Sequence, residues 1–196
     1  MAAVAGAVAE ELLAALVSGR QLEKAFVNDG GDIAVHLTPG RSLRAAIVAD
    51  IANPAVDATA EIRFDDPVRG IATSGWRGRS QSLGIADAVT VLASTASQAD
   101  AAATLIANAV NVYHPCIERR PARDIKEDSD LGDLLVTVMV PSLPEADVQQ
   151  ALQNGLAVAK RMHQQGLIRG AHLALQGRTR TLAMPAACAA PLSRSL

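Results

Sequence analysis

Three oxygen- or amide-bearing side chains interrupt an otherwise apolar stretch near the middle of this chain. Asp100, Thr104 and Asn108 lie at i, i+4 and i+8 within ADAAATLIANAV, a spacing that puts them on one face of a helix. A carboxylate and a hydroxyl one turn apart can share a hard cation such as Mg²⁺, which takes few protein ligands and completes its shell with phosphate oxygens and water. The competing reading is structural. Ser97-x-x-Asp100 has the form of a capping box, with Ser97 as N-cap. Capping explains Asp100 but not the continuation of the stripe to Thr104 and Asn108.

Two other segments carry groups suited to a ligand. In Asn28-Asp29-Gly30-Gly31-Asp32 the paired glycines let backbone N–H groups come close to a bound molecule. The same residues also make an ordinary hairpin turn. In Thr73-Ser74-Gly75-Trp76 two hydroxyls and a glycine stand at a strand end, followed by Arg77 and Arg79 as phosphate donors and by Trp76, the single tryptophan, as a ring to stack on. Hydrolase chemistry through Ser74 lacks a base, because no G-x-S-x-G elbow and no nearby histidine accompany it. The four histidines, His36, His114, His163 and His172, show no metal-ligand spacing.

The elements that must position these groups mix strands and helices. The first eighteen residues read as a helix without an N-cap. Strands are expected at 25–28, 33–37, 43–48, 60–64, 70–74, 88–93, 134–140 and 168–175, and helices at 97–110 and 144–165. Glu145 and Asp147 in the first turn of the last helix, with Lys160, Arg161 and His163 near its end, suit its dipole. The charged, Pro-containing run 115–132 reads as a solvated loop. Hairpin-like strands dominate the first half. This order predicts an α+β fold with antiparallel sheets packed against helices, one domain over 1–184 and a flexible tail over 185–196.

Composition narrows the function classes. Of 196 residues 49% are hydrophobic and only 2% aromatic, so the core is built from Ala, Val, Leu and Ile. The net charge of −2, without a basic run or an aromatic platform, argues against nucleic acid. Glu10 and Glu11 break the N-terminal apolar run, which excludes a good signal sequence or membrane span. Cys116 and Cys188 lie in no metal-spaced motif and read as free thiols in a cytoplasmic protein.

Taken together and in order, VNDGGDI, GIATSG, VTVLA and ADAAAT resemble the ApbE superfamily of flavin-nucleotide-binding proteins, and within it a branch of uncharacterised ApbE-like proteins, over roughly residues 2–177. The resemblance implies an ApbE-like, T-fold-like architecture that binds FAD with Mg²⁺. It implies Asp100, Thr104 and the Ala5 carbonyl as metal ligands, and Gly30, Gly31, Asp32, Thr73, Ser74, Gly75 and Trp76 as cofactor-binding residues. Gly6 stands where the family's lysine belongs, and no histidine lies between Trp76 and Ala88. The implied function is therefore flavin-nucleotide binding. An Mg-dependent flavin (FMN) transferase or FAD pyrophosphatase is one alternative, and a non-enzymatic homo-oligomeric subunit the other. Because family members extend upstream of the position of Met1, an N-terminally truncated chain is also expected.

Overall fold

A computed structural model describes residues 3–48, 56, 58–78 and 80–184. The expected tail, Arg79 and Cys188 lie outside these residues. The elements in chain order are α1 (Val4–Val17), β1 (Lys24–Asp29), β2 (Asp32–Leu37), β3 (Ser42–Ile47), β4 (Ala58–Arg63), β5 (Gly70–Ser74), β6 (Ala88–Ala93), α2 (Ala96–Ala109), β7 (Glu118–Pro121), α3 (Ala122–Ile125), β8 (Leu135–Met139), α4 (Glu145–Gln164), β9 (Gly170–Leu175) and β10 (Arg178–Leu182). The fold is α+β. Six strands form one antiparallel sheet in the order β1-β2-β5-β6-β9-β10.

Three helices cover one face of this sheet in the same order as the strands beneath them. α1 packs on β1 and β2, α2 on β5 and β6, and α4 on β9 and β10. The β3–β4 hairpin covers part of the other face, where Ala60 and Ile62 pack with Val35, Leu37, Ile71 and Leu92. The centre of the sheet is thus enclosed. Every residue of β6 (AVTVLA) and β9 (GAHLAL) is buried, which explains apolar runs where a half-exposed strand would alternate.

Two details position the site. First, β1 and β2 are joined by the two-residue turn Gly30-Gly31, with φ of 68° and 115°; both values favour glycine. Asn28 Oδ1 accepts the Gly31 N–H at 2.8 Å and fixes this turn. Second, the register between β2 and β5 is only two residue pairs long, Ile33↔Ile71 and Ala34↔Gly70. Beyond it lie the hairpin tip and the C-terminal end of β5.

The structure corrects several expectations. The run 115–132 is not simply a loop: it contains β7 and the short α3, and β7 pairs with β8. β10 is an additional strand. Ser97 is not the N-cap of α2. Thr95 is, its side chain accepting the Gln98 N–H, and Asp100 caps a different helix. α1 begins on Ala3, a residue at φ 96° with no side-chain cap bond.

Candidate functional site

The hairpin tip, the end of β5, one face of α2 and the first turn of α1 surround a cleft of about 940 Å³. Asp100 and Thr104 project from α2 into its lining, one helical turn apart. Ala5 lines it from α1, and Asn28 to Asp32 from the hairpin. Thr73, Ser74 and Gly75 contribute the edge of β5. Gly31 and Thr73 are neighbours across the unpaired end of the β2–β5 seam, since a Cβ on Gly31 would lie 4.0 Å from Thr73 Cβ. Thr73 Oγ1 and Thr90 Oγ1 form a hydrogen bond of 2.8 Å, and Thr90 also lines the cleft. The opposite wall is aliphatic: Ile33, Ile71, Ala60 and residues 45–48 of the β3 segment.

Asp100 Oδ2 accepts the Gly6 backbone N–H at 3.1 Å; its second oxygen has no hydrogen-bond partner among the described residues. The Thr104 hydroxyl likewise has no partner among them. Ala5 lies in the first turn of α1, where a helical carbonyl already accepts from the residue four positions on, leaving one lone pair. Asn108 leaves the stripe. Its Oδ1 accepts from Ser82 Oγ (3.1 Å) and Leu83 N (2.9 Å), so it pins the loop before β6 rather than serving the cleft. Trp76 is not in the lining either. Its Nε1 donates to Asp87 Oδ1 at 3.3 Å, and the Arg77 guanidinium lies 5.2 Å from the ring centroid.

Asp87 is a cleft residue that sequence reasoning missed. Its carboxylate accepts from Trp76 Nε1, pairs with Arg77 Nε at 3.2 Å and receives the Gln176 backbone N–H. The side chain is 13% exposed. It therefore ties the segment after β5 to the β9–β10 turn and holds Arg77, a positive charge in the lining, in place. An acid just before a β-branched run was the available signal.

Among the described residues no three His, Cys, Asp or Glu side chains group closely enough to hold a metal by themselves. A cation here would draw on Asp100 and Thr104, with the rest of its shell from a ligand and water. Hard oxygen donors of that kind, one of them anionic, fit Mg²⁺. A second, smaller groove of about 310 Å³ lies between α1 and β2 and contains none of these candidates. No helix among the described residues is long and apolar enough to cross a membrane.

With the cleft described, comparison with known proteins places the chain. A family model described as AbpE bacteria matches residues 1–181. The chain belongs to the AbpE bacteria family. It is similar to a UPF0280 protein of Methanopyrus kandleri, with 39% identity over 142 residues, covering 71% of this chain and 54% of the relative. A UPF0280 protein of Methanothermobacter thermautotrophicus is 39% identical over 112 residues, 57% of this chain and 42% of the relative. One from Methanosarcina acetivorans is 35% identical over 119 residues, 60% and 46% respectively. The chain spans about half the length of these relatives.

These matches overturn the resemblance to the ApbE superfamily. The AbpE bacteria family and its UPF0280 relatives are a different family from the ApbE flavin transferases. The physical reason for the error is visible in the fold. The short motifs behind that resemblance also answer local demands: G-G makes a tight turn, and the aspartate of A-D-x-x-x-T caps a neighbouring helix.

Proposed function

We propose that the AbpE bacteria cleft binds a phosphate-bearing nucleotide together with a divalent cation. The observation that carries this reading is convergence. Three segments far apart in the chain (Gly30–Asp32, Thr73–Gly75, and Asp100 with Thr104) meet on one cleft whose other wall is aliphatic. A pocket with a polar end and an apolar end suits a ligand that has a charged group and a flat hydrophobic one, and about 940 Å³ lies at the upper end of the ordinary range for such sites. Arg77 brings a positive charge to the lining, and the carboxylates of Asp29, Asp32, Asp87 and Asp100 around it make a cation necessary for holding a phosphate here. The cation supplies neutralisation of the phosphate charge beside the Asp100 carboxylate.

The protein's own groups then divide the work. Asp100 and Thr104 hold the cation side, the hydroxyls of Thr73 and Ser74 orient phosphate oxygens, and the aliphatic wall excludes water from the ring. A flavin nucleotide is the first ligand to test. Calorimetric titration with FAD, FMN and ADP, each with and without Mg²⁺, is expected to show saturable binding that requires the cation. Asp100→Asn is expected to weaken that binding at least tenfold. Absence of binding by all three nucleotides, or binding indifferent to Asp100→Asn, would overturn the reading.

A further inference from the structure

The N-terminal turns of α1 and α2 cross at Gly6, where a Cβ would stand 2.4 Å from the Ala96 carbonyl oxygen. Two helix N-termini are thus pressed together, each with partial positive charge and N–H groups lacking intrahelical partners. Two carboxylates resolve this, and each serves the other helix. Asp100 of α2 accepts the Gly6 N–H of α1 at 3.1 Å. Glu10 of α1 accepts both the Ser97 N–H (2.7 Å) and the Ser97 Oγ–H (3.0 Å) of α2 through Oε1.

We infer that Glu10 is a positioning residue of the cleft: by holding Ser97, it fixes the crossing that presents Asp100 and Ala5 on one wall. The inference rests on the reading of the cleft as a cation and nucleotide site. Glu10 and Gly6 lie one turn apart on α1, while Ser97 and Asp100 lie three residues apart on α2, so the two links run antiparallel. Together they fix both the sliding and the rotation of α1 on α2; either alone leaves a pivot. Glu10 is absent from the cleft lining, so its influence on a ligand passes through Asp100. Without it the N-terminus of α2 loses its carboxylate, and the crossing is left to pivot on the Asp100–Gly6 bond alone.

The test uses the full chain with Mn²⁺ alone as the probe, free Mn²⁺ being read by electron paramagnetic resonance. Exchange of the Gly6 amide is followed by NMR in parallel. Glu10→Ala is expected to weaken Mn²⁺ binding about fivefold, the scale of one lost cap, and to speed Gly6 exchange by a similar factor. Glu10→Gln, which keeps the accepting oxygen, is expected to restore most of both. Val17→Ala, which trims an apolar side chain at the far end of α1 from Gly6, controls for general destabilisation and is expected to leave Mn²⁺ affinity within twofold. Unchanged affinity or Gly6 exchange in Glu10→Ala, or an equal loss of affinity in Val17→Ala, overturns the inference. If the wild-type chain binds no Mn²⁺, the reading of the cleft fails, and Gly6 exchange then decides separately whether Glu10 governs the crossing.

Discussion

The Gly6 amide donates to Asp100 Oδ2 at 3.1 Å, so one carboxylate both faces the cleft and closes the N-terminus of α1. Among the described residues no other side chain caps the N-terminus of that helix. Asp100 therefore has two duties that different substitutions separate. Asp100→Ala removes the cap as well as the charge and is expected to lower stability by about 1 kcal/mol. In a domain of this size that is a fall in Tm of roughly 2–4 °C. Asp100→Asn keeps an accepting oxygen, and its Tm is expected to stay within about 1 °C of wild type by the same scaling. Both variants are expected to lose cation affinity. Differential scanning calorimetry beside Mn²⁺ titration checks the separation.

Gly6→Ala sets two effects of opposite sign against each other. Helix propensity favours alanine by about 1 kcal/mol. The added methyl would meet the Ala96 carbonyl at 2.4 Å, a backbone obstacle that cannot rotate aside. Overpacking of this kind costs about 1–3 kcal/mol, so the net change is expected to be destabilising. A lower urea midpoint with an unchanged m-value is the expected record.

Thr73 and Thr90 share a 2.8 Å hydrogen bond at the cleft edge, and Thr90 is 2% exposed. Thr73→Val leaves the Thr90 hydroxyl buried without this partner, at a cost of about 1–3 kcal/mol. The double variant Thr73→Val/Thr90→Val removes both groups and is expected to cost less than the sum of the single changes. A double-mutant cycle in chemical denaturation measures the difference.

The Arg178 hydrogen bond, with help from Gln149, holds the Glu145 carboxyl below its ordinary 4.5, while Glu145 raises the Arg178 guanidinium. A depressed carboxyl contributes stability above its unfolded value and loses it as pH falls through the folded one. The α4–β10 link made by this exposed pair is thus intact at neutral pH and lost on acidification below about 4.5. Glu145→Gln is expected to flatten the small fall in Tm between pH 6 and pH 3 relative to wild type.

Much of the fold was legible because its strands are short β-branched runs between strong turns. The Gly30-Gly31 turn and the buried β6 illustrate this. β10 escaped because its turn, Gln176-Gly177, puts a non-glycine residue at φ 47°, and because R-T-R-T-L carries no apolar face. β7 and α3 escaped because ERRPARDI is dominated by charge, although Arg119 and Pro121 are half-buried against their neighbours. At the site, spacing alone located Asp100 and Thr104 on one helix face. It could not tell that Asn108, one turn further, turns to Ser82 and Leu83. Nor could it foresee that Trp76 would be tied to Asp87, a contact between residues eleven apart that only the closed sheet creates.

The face of α2 that carries the whole arrangement is nearly all alanine: Ala96, Ala99, Ala102, Ala103 and Ala107 are buried, with Ile106 the sole larger side chain among them. Such a wall has little to surrender, since trimming a methyl forfeits scarcely any contact. Its vulnerability runs the other way. Almost any exchange at these positions adds bulk to a closely packed core. Mutational tolerance along this helix should therefore be lopsided, with serine accepted, glycine resisted only through the helix backbone, and valine or leucine rejected, however conservative the swap looks by hydropathy.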